Sequence, residues 1–401
     1  MKRVLLLVLI LALAAAAWTV NELSRPFRGY SGNLILVLEP GTSAAEAVRM
    51  LADRGVIAYR WPFLARYALG RPNTLKAGEY LFARPLAPVD VYHKLVVGEV
   101  YLHSVTIPEG SDRFDMARIL HHQLGINPQD FLRASESVDS IRDLDPQATS
   151  LEGYLFPDTY LFPRSVTSET VIAVMLGQFR RVLGSRIPPE LRPSAEKLRK
   201  VVTLASLVEK ETPSAEERPV VAGVFEKRLK KRIPLQCDPT VIYAARLDGR
   251  PIGPILESDL KFESPYNTYR YAGLPPGPIA SPGEASLRAA LQPEATKYLY
   301  FVSNSRGGHI FARTLAEHQR NVSRYRREVA MRRAASGRGA EPISRSGQHG
   351  NSRVNSTSSE GTDNPQQETA HPGSVPGKGA RSRRGTGDTR PSSGPAATPR
   401  T

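Results

Sequence analysis

The sequence is poor in the residues that build disulfides and metal centres. Cys237 is the single cysteine among 401 residues, so neither an intrachain disulfide nor a cysteine-based zinc site can form. No H-E-x-x-H, phosphate-binding glycine loop or G-x-S-x-G elbow occurs, and the six histidines before Met331 are scattered apart from His121 and His122. These absences argue against a metalloenzyme, a nucleotide enzyme and an α/β-hydrolase. We therefore expect no metal and no cofactor.

Aliphatic residues are nearly missing from the C-terminal end of the chain. From about Met331 the sequence consists mainly of Ser, Gly, Pro, Arg and Thr, with 11 Lys/Arg against 5 Asp/Glu. Such a segment buries too little apolar surface to offset its ordering entropy, so residues 332–401 are predicted to form a disordered basic tail. A basic tail can attract anionic lipid or nucleic acid, but charge runs are usually solvated. No nucleic-acid partner is expected, although the formal net charge is +15.

An apolar run opens the chain and decides its topology. Lys2 and Arg3 precede 17 uninterrupted apolar or small residues, 4–20, which is at the short end for a membrane-spanning helix. The two positive charges predict a cytoplasmic N-terminus and export of the remainder. A cleaved signal peptide is the alternative, because segment 12–14 resembles a cleavage site. Trp18 favours a retained anchor, since its ring suits the membrane interface.

Short strands and helices alternate over the first third of the exported part. β-type apolar runs and helical patterns are predicted at 34–38 (strand), 43–53 (helix), 76–82 (strand), 88–97 (helix), 105–107 (strand) and 112–120 (helix). Ser43 and Glu46 have the spacing of a capping box, which satisfies two backbone amides at a helix start. This pattern predicts a small α+β module.

The middle of the chain is predicted to be helical and then irregular. Residues 194–210 place apolar side chains on one helical face, and a second helix is predicted at 214–232. Ser214 and Glu217 have the spacing of another capping box. The stretch 234–282 is rich in Gly, Pro and Tyr. Long irregular stretches in compact domains are usually functional.

Two carboxylates lie together at the end of the 194–210 helix. Glu209 and Glu211 are two residues apart, so their side chains point about 200° apart on a helix and cannot both face one cleft. A carboxyl group against an apolar wall has a raised pKa, and such a group can protonate a glycosidic oxygen near neutral pH. Glutamates at helix ends are also ordinary, so the pattern alone does not make this segment catalytic.

Several longer motifs follow one another along the chain. They are EGYLFPDTY (152–160), ASLVEKET (205–212), ER (217–218), LQCDPTVIY (235–243), YNTY (266–269), GLPPGPI with PG (273–283), YLYFV (298–302) and GHIF (308–311). Together, over residues 34–325, they resemble the YceG-like (MltG) family of endolytic murein transglycosylases. The resemblance implies an α+β chain with a transmembrane helix, a LysM-like module and a catalytic domain related to lytic transglycosylases.

The resemblance also implies a domain layout and an activity. The layout is an anchor at 1–21, a linker and LysM-like module at 22–103, a catalytic domain at 104–331 and the tail at 332–401. The implied activity is cleavage of MurNAc–GlcNAc bonds within nascent peptidoglycan strands, which gives 1,6-anhydroMurNAc ends and terminates elongation. The implied partners are glycan strands, peptidoglycan synthases and, through the N-terminal helix, the cytoplasmic (inner) membrane, with the catalytic domain outside the cytoplasm.

Glu211 is the catalytic residue that the resemblance implies. Thr212 follows it and completes the Glu-Ser/Thr pair of lytic transglycosylases, while Glu209 is the alternative. Cys237 stands where the family often has Thr. The substrate-binding residues carried over from the motifs are Arg218, Gln236, Asp238, Tyr243, Tyr266, Asn267 and Tyr269.

Several of these residues also have purely structural interpretations. Asp238 can cap a turn, Tyr266 and Tyr269 can pack a loop, and Glu217 is more typical of a cap than of a catalyst. His309 is a minor candidate, because most such histidines are structural. Two competing functions remain: a non-catalytic peptidoglycan-binding tether of a wall-synthesis complex, and a scaffold acting through the basic tail.

Overall fold

The computed structural model describes residues 1–70, 74–250, 255–304 and 306–337. The predicted basic tail therefore lies largely outside the described residues. Residues 332–337, which composition assigned to that tail, are helical because they continue the last helix.

Helices and short strands alternate along the chain. The helices are α1 (Lys2–Ser24), α2 (Ala44–Asp53), α3 (Arg60–Leu69), α4 (Pro88–Val97), α5 (Arg113–Leu124), α6 (Pro128–Ala134), α7 (Ser168–Arg181), α8 (Ala195–Glu211), α9 (Arg218–Lys230), α10 (Asp238–Leu247), α11 (Glu284–Leu291) and α12 (Leu315–Gly337). The strands are β1 (Leu34–Leu38), β2 (Gly78–Phe82), β3 (His103–Thr106), β4 (Thr159–Phe162), β5 (Tyr300–Ser303) and β6 (His309–Ala312). A mixed helix-and-strand fold, as predicted, is confirmed.

Within the described ranges the strands form three separate two-stranded antiparallel sheets. They are β1–β2, β3–β4 and β5–β6. The register pairs Leu34 with Phe82 in the first sheet and Ser303 with His309 in the third. No sheet has a face broad enough to form a core alone, so each packs against helices.

The first sheet and helices α2–α4 form what we call the N-terminal module, residues 34–98. Along β1, Leu36 and Leu38 are buried while Ile35 and Val37 are exposed, the period-two alternation of a strand with one covered face. The covered face packs on apolar side chains of α2–α4 such as Leu51. As the capping-box spacing predicts, the Ser43 hydroxyl accepts a hydrogen bond from the Glu46 amide at the start of α2.

A second and larger core, spanning residues 105–290, surrounds α8. Seven consecutive α8 residues, 202–208, are buried, so this helix is covered on every side rather than on one face. Helices α9 and α11 pack against it. The Ser206 hydroxyl accepts a hydrogen bond from the Ile279 amide at 3.1 Å, which fixes the glycine- and proline-rich loop to the helix. The central helix thus holds its C-terminal end, with Glu209 and Glu211, in a defined position.

Glu79 on β2 joins the N-terminal module to the larger region. Its carboxylate lies 2.6 Å from His103 Nε2 and 3.6 Å from Arg164 Nε, and its carbonyl accepts a hydrogen bond from the Tyr101 amide. His103 is the first residue of β3, Tyr101 precedes that strand, and Arg164 follows β4. The junction between the two cores is therefore held by polar contacts as well as by the chain itself.

Helix α1 is apolar from Val4 to Val20, apart from Thr19, and has no buried residue. Among the described residues it is the single helix long and apolar enough to cross a membrane, with a mean hydropathy of 2.4. It fits a single-pass membrane anchor. Near its C-terminal end the Trp18 ring stacks on Trp61 of α3, with ring centroids 4.9 Å apart.

Helices α9 and α10 differ from the sequence predictions. Helix α9 begins at Arg218 instead of Ser214, and the predicted second capping box is wrong because the Glu217 side chain makes no cap bond. Helix α10 lies within the stretch 234–282 that composition assigned to irregular structure. Pro239 is compatible with this helix because, in the first turn, the amide that proline lacks has no helical partner.

Gly153 occupies a site that allows no side chain. Its φ is +83°, and an added Cβ would lie 2.5 Å from Pro278 Cβ and 2.9 Å from Val202 Cγ1. We expect Gly153→Ala to lower the unfolding free energy by about 2–4 kcal/mol, from left-handed backbone strain plus overpacking. Urea unfolding of the full chain in detergent, followed by circular dichroism, measures this.

The matched control for that variant is Gly177→Ala. Gly177 lies inside α7 with ordinary backbone angles and no atom within 4 Å of an added Cβ. Because alanine is the better helix former, this change should raise the unfolding free energy by up to about 1 kcal/mol. Equal stability of Gly153→Ala and the parent chain would contradict the described packing.

Candidate active site

A pocket of about 400 Å³ opens where α8 ends. Its walls come from the C-terminus of α8, α9, the segment that leads into α10, the loop that carries Tyr269, the β5–β6 hairpin and the first turn of α12. The lining residues are Glu211, Phe225, Arg228, Leu235, Gln236, Asp238, Tyr269, Tyr300, Phe301, Val302, Ser303, His309, Leu315 and His318. Aromatic and hydrogen-bonding side chains therefore face one cavity, an arrangement typical of a ligand site.

Glu211 is the last residue of α8, and its side chain reaches this pocket. Burial raises the pKa of its carboxyl to about 7; a hydrogen bond from the Cys237 thiol opposes this, and the nearby charge of Asp238 adds to it. A carboxyl with this pKa holds a proton at neutral pH and can also release it. Glu211 is thus placed to act as both acid and base.

The three consecutive side chains at the end of α8 point to different surroundings. Glu209 is 5% exposed and accepts bonds from Arg218 Nη2 at 2.7 Å and from the Gly283 amide at 2.9 Å. Lys210 donates to the Gly110 carbonyl at 3.0 Å, and Glu211 faces the pocket. As the helix geometry predicts, the two glutamates do not share a cleft. Both oxygens of Glu209 are occupied by structural partners.

Glu152 is a second carboxyl with a raised pKa, but it lies outside the pocket. Burial raises its pKa to about 7, against the opposing charge of Arg113. The carboxylate accepts bonds from the Arg113 amide at 3.1 Å and from the Tyr243 hydroxyl at 3.0 Å, inside the core. A raised pKa therefore does not identify the reactive group here; access to the pocket distinguishes Glu211 from Glu152.

Three of the predicted binding residues line the pocket beside Glu211. Asp238, the first residue of α10, accepts a hydrogen bond from the Tyr269 hydroxyl. Gln236 adopts a left-handed backbone with φ of 54°, and its side-chain oxygen accepts a bond from Arg228 Nη2 at 2.6 Å. Burial and the bond to Asp238 raise the pKa of Tyr269, so its hydroxyl stays protonated.

The other predicted binding residues lie outside the lining of this pocket. Asn267 is fully buried, and its amide donates to two backbone carbonyls and accepts from the Tyr269 amide. Tyr243 is buried with its hydroxyl on Glu152, and the Tyr266 ring packs against it at 5.1 Å. The Arg218 guanidinium forms an ion pair with Glu209, and its Nη2 lies 3.5 Å from Glu109 Oε2. The contacts of these side chains support the loops and helices that form the pocket wall.

Arg228, Tyr300 and His318 line the pocket although they were not predicted as site residues. Arg228 donates to the Pro234 and Leu299 carbonyls as well as to Gln236, and its guanidinium lies 5.4 Å from the Tyr300 ring centroid. His318 stacks on the same ring. Tyr300 lies in the YLYFV motif, which was a usable signal. Arg228 is one of several basic residues in the last turn of α9, so nothing in the sequence singles it out.

Glu217 and His309 form a pair at the pocket wall. Glu217 Oε2 lies 2.6 Å from His309 Nδ1, and Glu217 Oε1 accepts the His309 backbone amide at 2.9 Å. Desolvation would raise the pKa of Glu217, but the contacts with His309 outweigh it and lower that pKa. The pair fixes the β5–β6 hairpin to the start of α9, and so sets one side of the cavity.

Among residues 1–70, 74–250, 255–304 and 306–337, no group of three or more His, Cys, Asp or Glu could hold a metal ion. In the pocket, Glu211 is placed for proton transfer, with hydrogen-bonding side chains such as Asp238 and Tyr269 beside it. A half-buried carboxyl in a polar, aromatic-lined cavity is the arrangement that acid–base catalysis uses.

The chain belongs to the YceG-like family, whose model matches residues 36–324. An endolytic murein transglycosylase of Bacillus subtilis (strain 168) is 32% identical over 301 residues, covering 71% of this chain and 82% of that protein. One of Streptococcus pneumoniae serotype 2 is 31% identical over 318 residues, covering 72% of this chain and 56% of that protein. A crystal structure of a YceG-like protein from Listeria monocytogenes is 31% identical, with a TM-score of 0.49, covering 72% of this chain and 98% of that one.

Proposed function

We propose that this chain is an endolytic murein transglycosylase, which cleaves peptidoglycan glycan strands internally and leaves 1,6-anhydroMurNAc ends. The proposal rests on one observation: the Glu211 carboxyl has a pKa of about 7 and lies on the wall of the polar pocket. The two relatives above are named for this activity, and they align with 71% and 72% of this chain.

Glu211 performs both proton transfers in the proposed reaction. Protonated, it gives its proton to the oxygen that links MurNAc C1 to GlcNAc, and the C1–O bond breaks. The substrate's N-acetyl group stabilises the positive charge at C1. Glu211, now ionised, takes the proton of the same sugar's 6-hydroxyl, whose oxygen bonds to C1. One carboxyl suffices, whereas most glycosidases need two.

The pocket residues next to Glu211 bind the sugars. Asp238 and Tyr269 present a carboxylate and a hydroxyl to the cavity, which suits sugar hydroxyl and acetamido groups. Gln236 is held in one orientation by Arg228 and offers its amide nitrogen. Tyr300 supplies an aromatic face for sugar-ring packing.

The proposal includes a layout and a location. Residues 22–103 form the linker and LysM-like module, and residues 104–331 form the catalytic domain; the two separate hydrophobic cores support this division. Helix α1 anchors the chain in the cytoplasmic membrane with its N-terminus inside and the catalytic domain outside, supported by Lys2 and Arg3. Cleavage close to peptidoglycan synthases would terminate nascent strands.

Product analysis tests the reaction. The purified full chain in detergent is incubated with uncrosslinked glycan strands, and the fragments are identified by mass spectrometry. Internal fragments with 1,6-anhydroMurNAc ends are the expected result. Ends that have gained water would make the enzyme a muramidase instead. Strands bound but uncut would favour the non-catalytic tether.

The pKa of Glu211 predicts a fall in activity above neutral pH. The acid form is needed for the first step, and with a pKa of about 7 it is the main form below pH 7. We expect kcat/KM to fall about tenfold per pH unit once the pH passes well above 7. Initial rates from about pH 5 to about pH 9 measure this; a flat profile would remove Glu211 as the acid.

Glu152→Gln is the control for this profile, because Glu152 also has a pKa of about 7 but lies outside the pocket. The stability that its protonated form contributes is lost as the pH rises from about 4.5 to about 7, and this loss is a second route by which activity can fall with pH. If Glu211 is the titrating acid, the midpoint of the profile stays in place in the Glu152→Gln chain. A midpoint that moves with Glu152 would reassign the profile to folding.

A further inference from the structure

Helix α3 of the N-terminal module turns an apolar face outward. Trp61, Leu64 and Ala68 are exposed at helical spacing, with Tyr59 just before the helix and Leu69 at its end. The exposed fractions of the large apolar side chains among them lie between 37% and 86%. A helix with an apolar outer face is unusual for a surface in contact with water alone. An exposed apolar face of this kind is typical of a surface that contacts a partner or a membrane.

The same face adjoins the end of the membrane anchor. Trp18 of α1 stacks on Trp61 with centroids 4.9 Å apart and lies 5.5 Å from Tyr59. At about 1.5 Å per residue, Trp18 lies some 4.5 Å along α1 from Asn21, the first of the polar residues that end the helix. The three rings thus sit at the depth where the apolar run meets water, the usual depth of aromatic residues at membranes.

Basic residues border this aromatic face. Helix α3 contains Arg60 and Arg66 and no acidic residue, and Arg25 and Arg28 follow the anchor directly. Arg28 donates to the backbone of Gly32, while Arg66 lies 4.4 Å from a tyrosine ring centroid. Arg60 is paired with Asp53 at 2.6 Å and Arg25 with Glu22 at 3.8 Å, so the edge carries both signs of charge with arginine in excess. An apolar face with such an edge suits the boundary between acyl chains and anionic headgroups.

We propose that α3 lies in the interface of the membrane that α1 spans, with Tyr59, Trp61, Leu64 and Leu69 at the headgroup–acyl boundary. The occupant of the face is bilayer lipid containing anionic headgroups. The proposal rests on α1 as a membrane span. It means that the N-terminal module rests on the bilayer and does not hang from a single flexible tether.

The two tryptophans of the chain permit a direct test, because Trp18 and Trp61 are the only ones present. In the full-length Trp18→Phe chain, Trp61 is the sole reporter and keeps an aromatic neighbour. The chain is reconstituted into vesicles of phosphatidylglycerol and phosphatidylcholine with bromines placed near the headgroups or near the bilayer centre. Because interfacial helices bury their apolar face by about 5–10 Å, we expect roughly half of the Trp61 emission to be quenched by the shallow bromines.

The reciprocal variant separates this proposal from the anchor. In Trp61→Phe, Trp18 reports on α1 and should be quenched. Quenched Trp18 with unquenched Trp61 would overturn the interfacial placement of α3 and leave the anchor intact. Absence of quenching at both positions would overturn both. Protection of Trp61 from acrylamide by soluble glycan fragments, without quenching by bromolipid, would assign the face to glycan instead.

Charge substitution gives a second test in the same Trp18→Phe background. Leu64→Glu with Leu69→Glu places two carboxylates on the apolar face and should abolish the quenching of Trp61. Leu161→Glu is the control, because Leu161 lies on β4 of the larger region and its exposure, 62%, is between those of Leu64 and Leu69. Trp61 quenching that survives the double substitution would contradict the proposal, as would an equal loss in the Leu161 control.

Discussion

Replacing Glu211 with Gln is expected to lower kcat/KM for glycan cleavage by at least about 10³-fold, or about 4 kcal/mol of transition-state stabilisation. The amide can neither give a proton to the leaving oxygen nor accept one from the 6-hydroxyl. The fold should survive, since the side chain faces a pocket and keeps its size. Rates on defined glycan strands and circular dichroism measure the two effects separately.

Glu209→Gln is the matched control for that experiment. It removes the neighbouring carboxyl, which is bonded to Arg218 and Gly283 and does not line the pocket. Activity per folded molecule should stay within about tenfold of the parent, because no proton-transfer group is lost. If Glu209→Gln abolished cleavage and Glu211→Gln did not, the catalytic assignment would pass to Glu209.

Replacing Arg218 with Met is expected to lower the unfolding free energy by about 3–5 kcal/mol. The side chains of Arg218 and Glu209 are only 7% and 5% exposed, so the substitution leaves a buried carboxylate without its cation. Urea unfolding of the full chain in detergent measures the loss. The double variant Arg218→Met with Glu209→Gln should recover part of it, because no unpaired charge remains.

The same substitution distinguishes a structural from a binding role. If Arg218 were a substrate ligand, as the motif alone suggested, Arg218→Met would raise KM and leave the unfolding midpoint unchanged. A large stability loss, with normal KM for the molecules that remain folded, is what its contacts with Glu209 and Glu109 predict.

Local patterns predicted the elements whose structure depends on near neighbours. Strand β1 occupies the predicted 34–38, and α4 occupies the predicted 88–97. Helix α10 could not be found in this way, because its sequence is flanked by loop-forming residues and its burial comes from distant contacts with α8. The second capping box failed because His309, 92 residues away, takes the Glu217 carboxylate.

The candidate site shows the same division. Asp238 and Tyr243 belong to one motif, yet the first lines the pocket and the second bonds to Glu152 in the core. Asn267 and Tyr269 are likewise two residues apart and point to backbone carbonyls and to Asp238, respectively. A motif therefore identifies residues that build a site, but it does not tell which of them line the pocket and which support the lining residues from the core.

The thiol of Cys237 has a consequence for experiment. It is buried against Glu211, and burial together with that carboxylate holds its pKa well above the usual range. Since the thiolate is the nucleophile, alkylating reagents and peroxide should react with it slowly in the native chain. Because the chain has no other cysteine, the rate of alkylation reports how often the region around Glu211 opens transiently. A glycan strand that occupies the pocket should lower this alkylation rate.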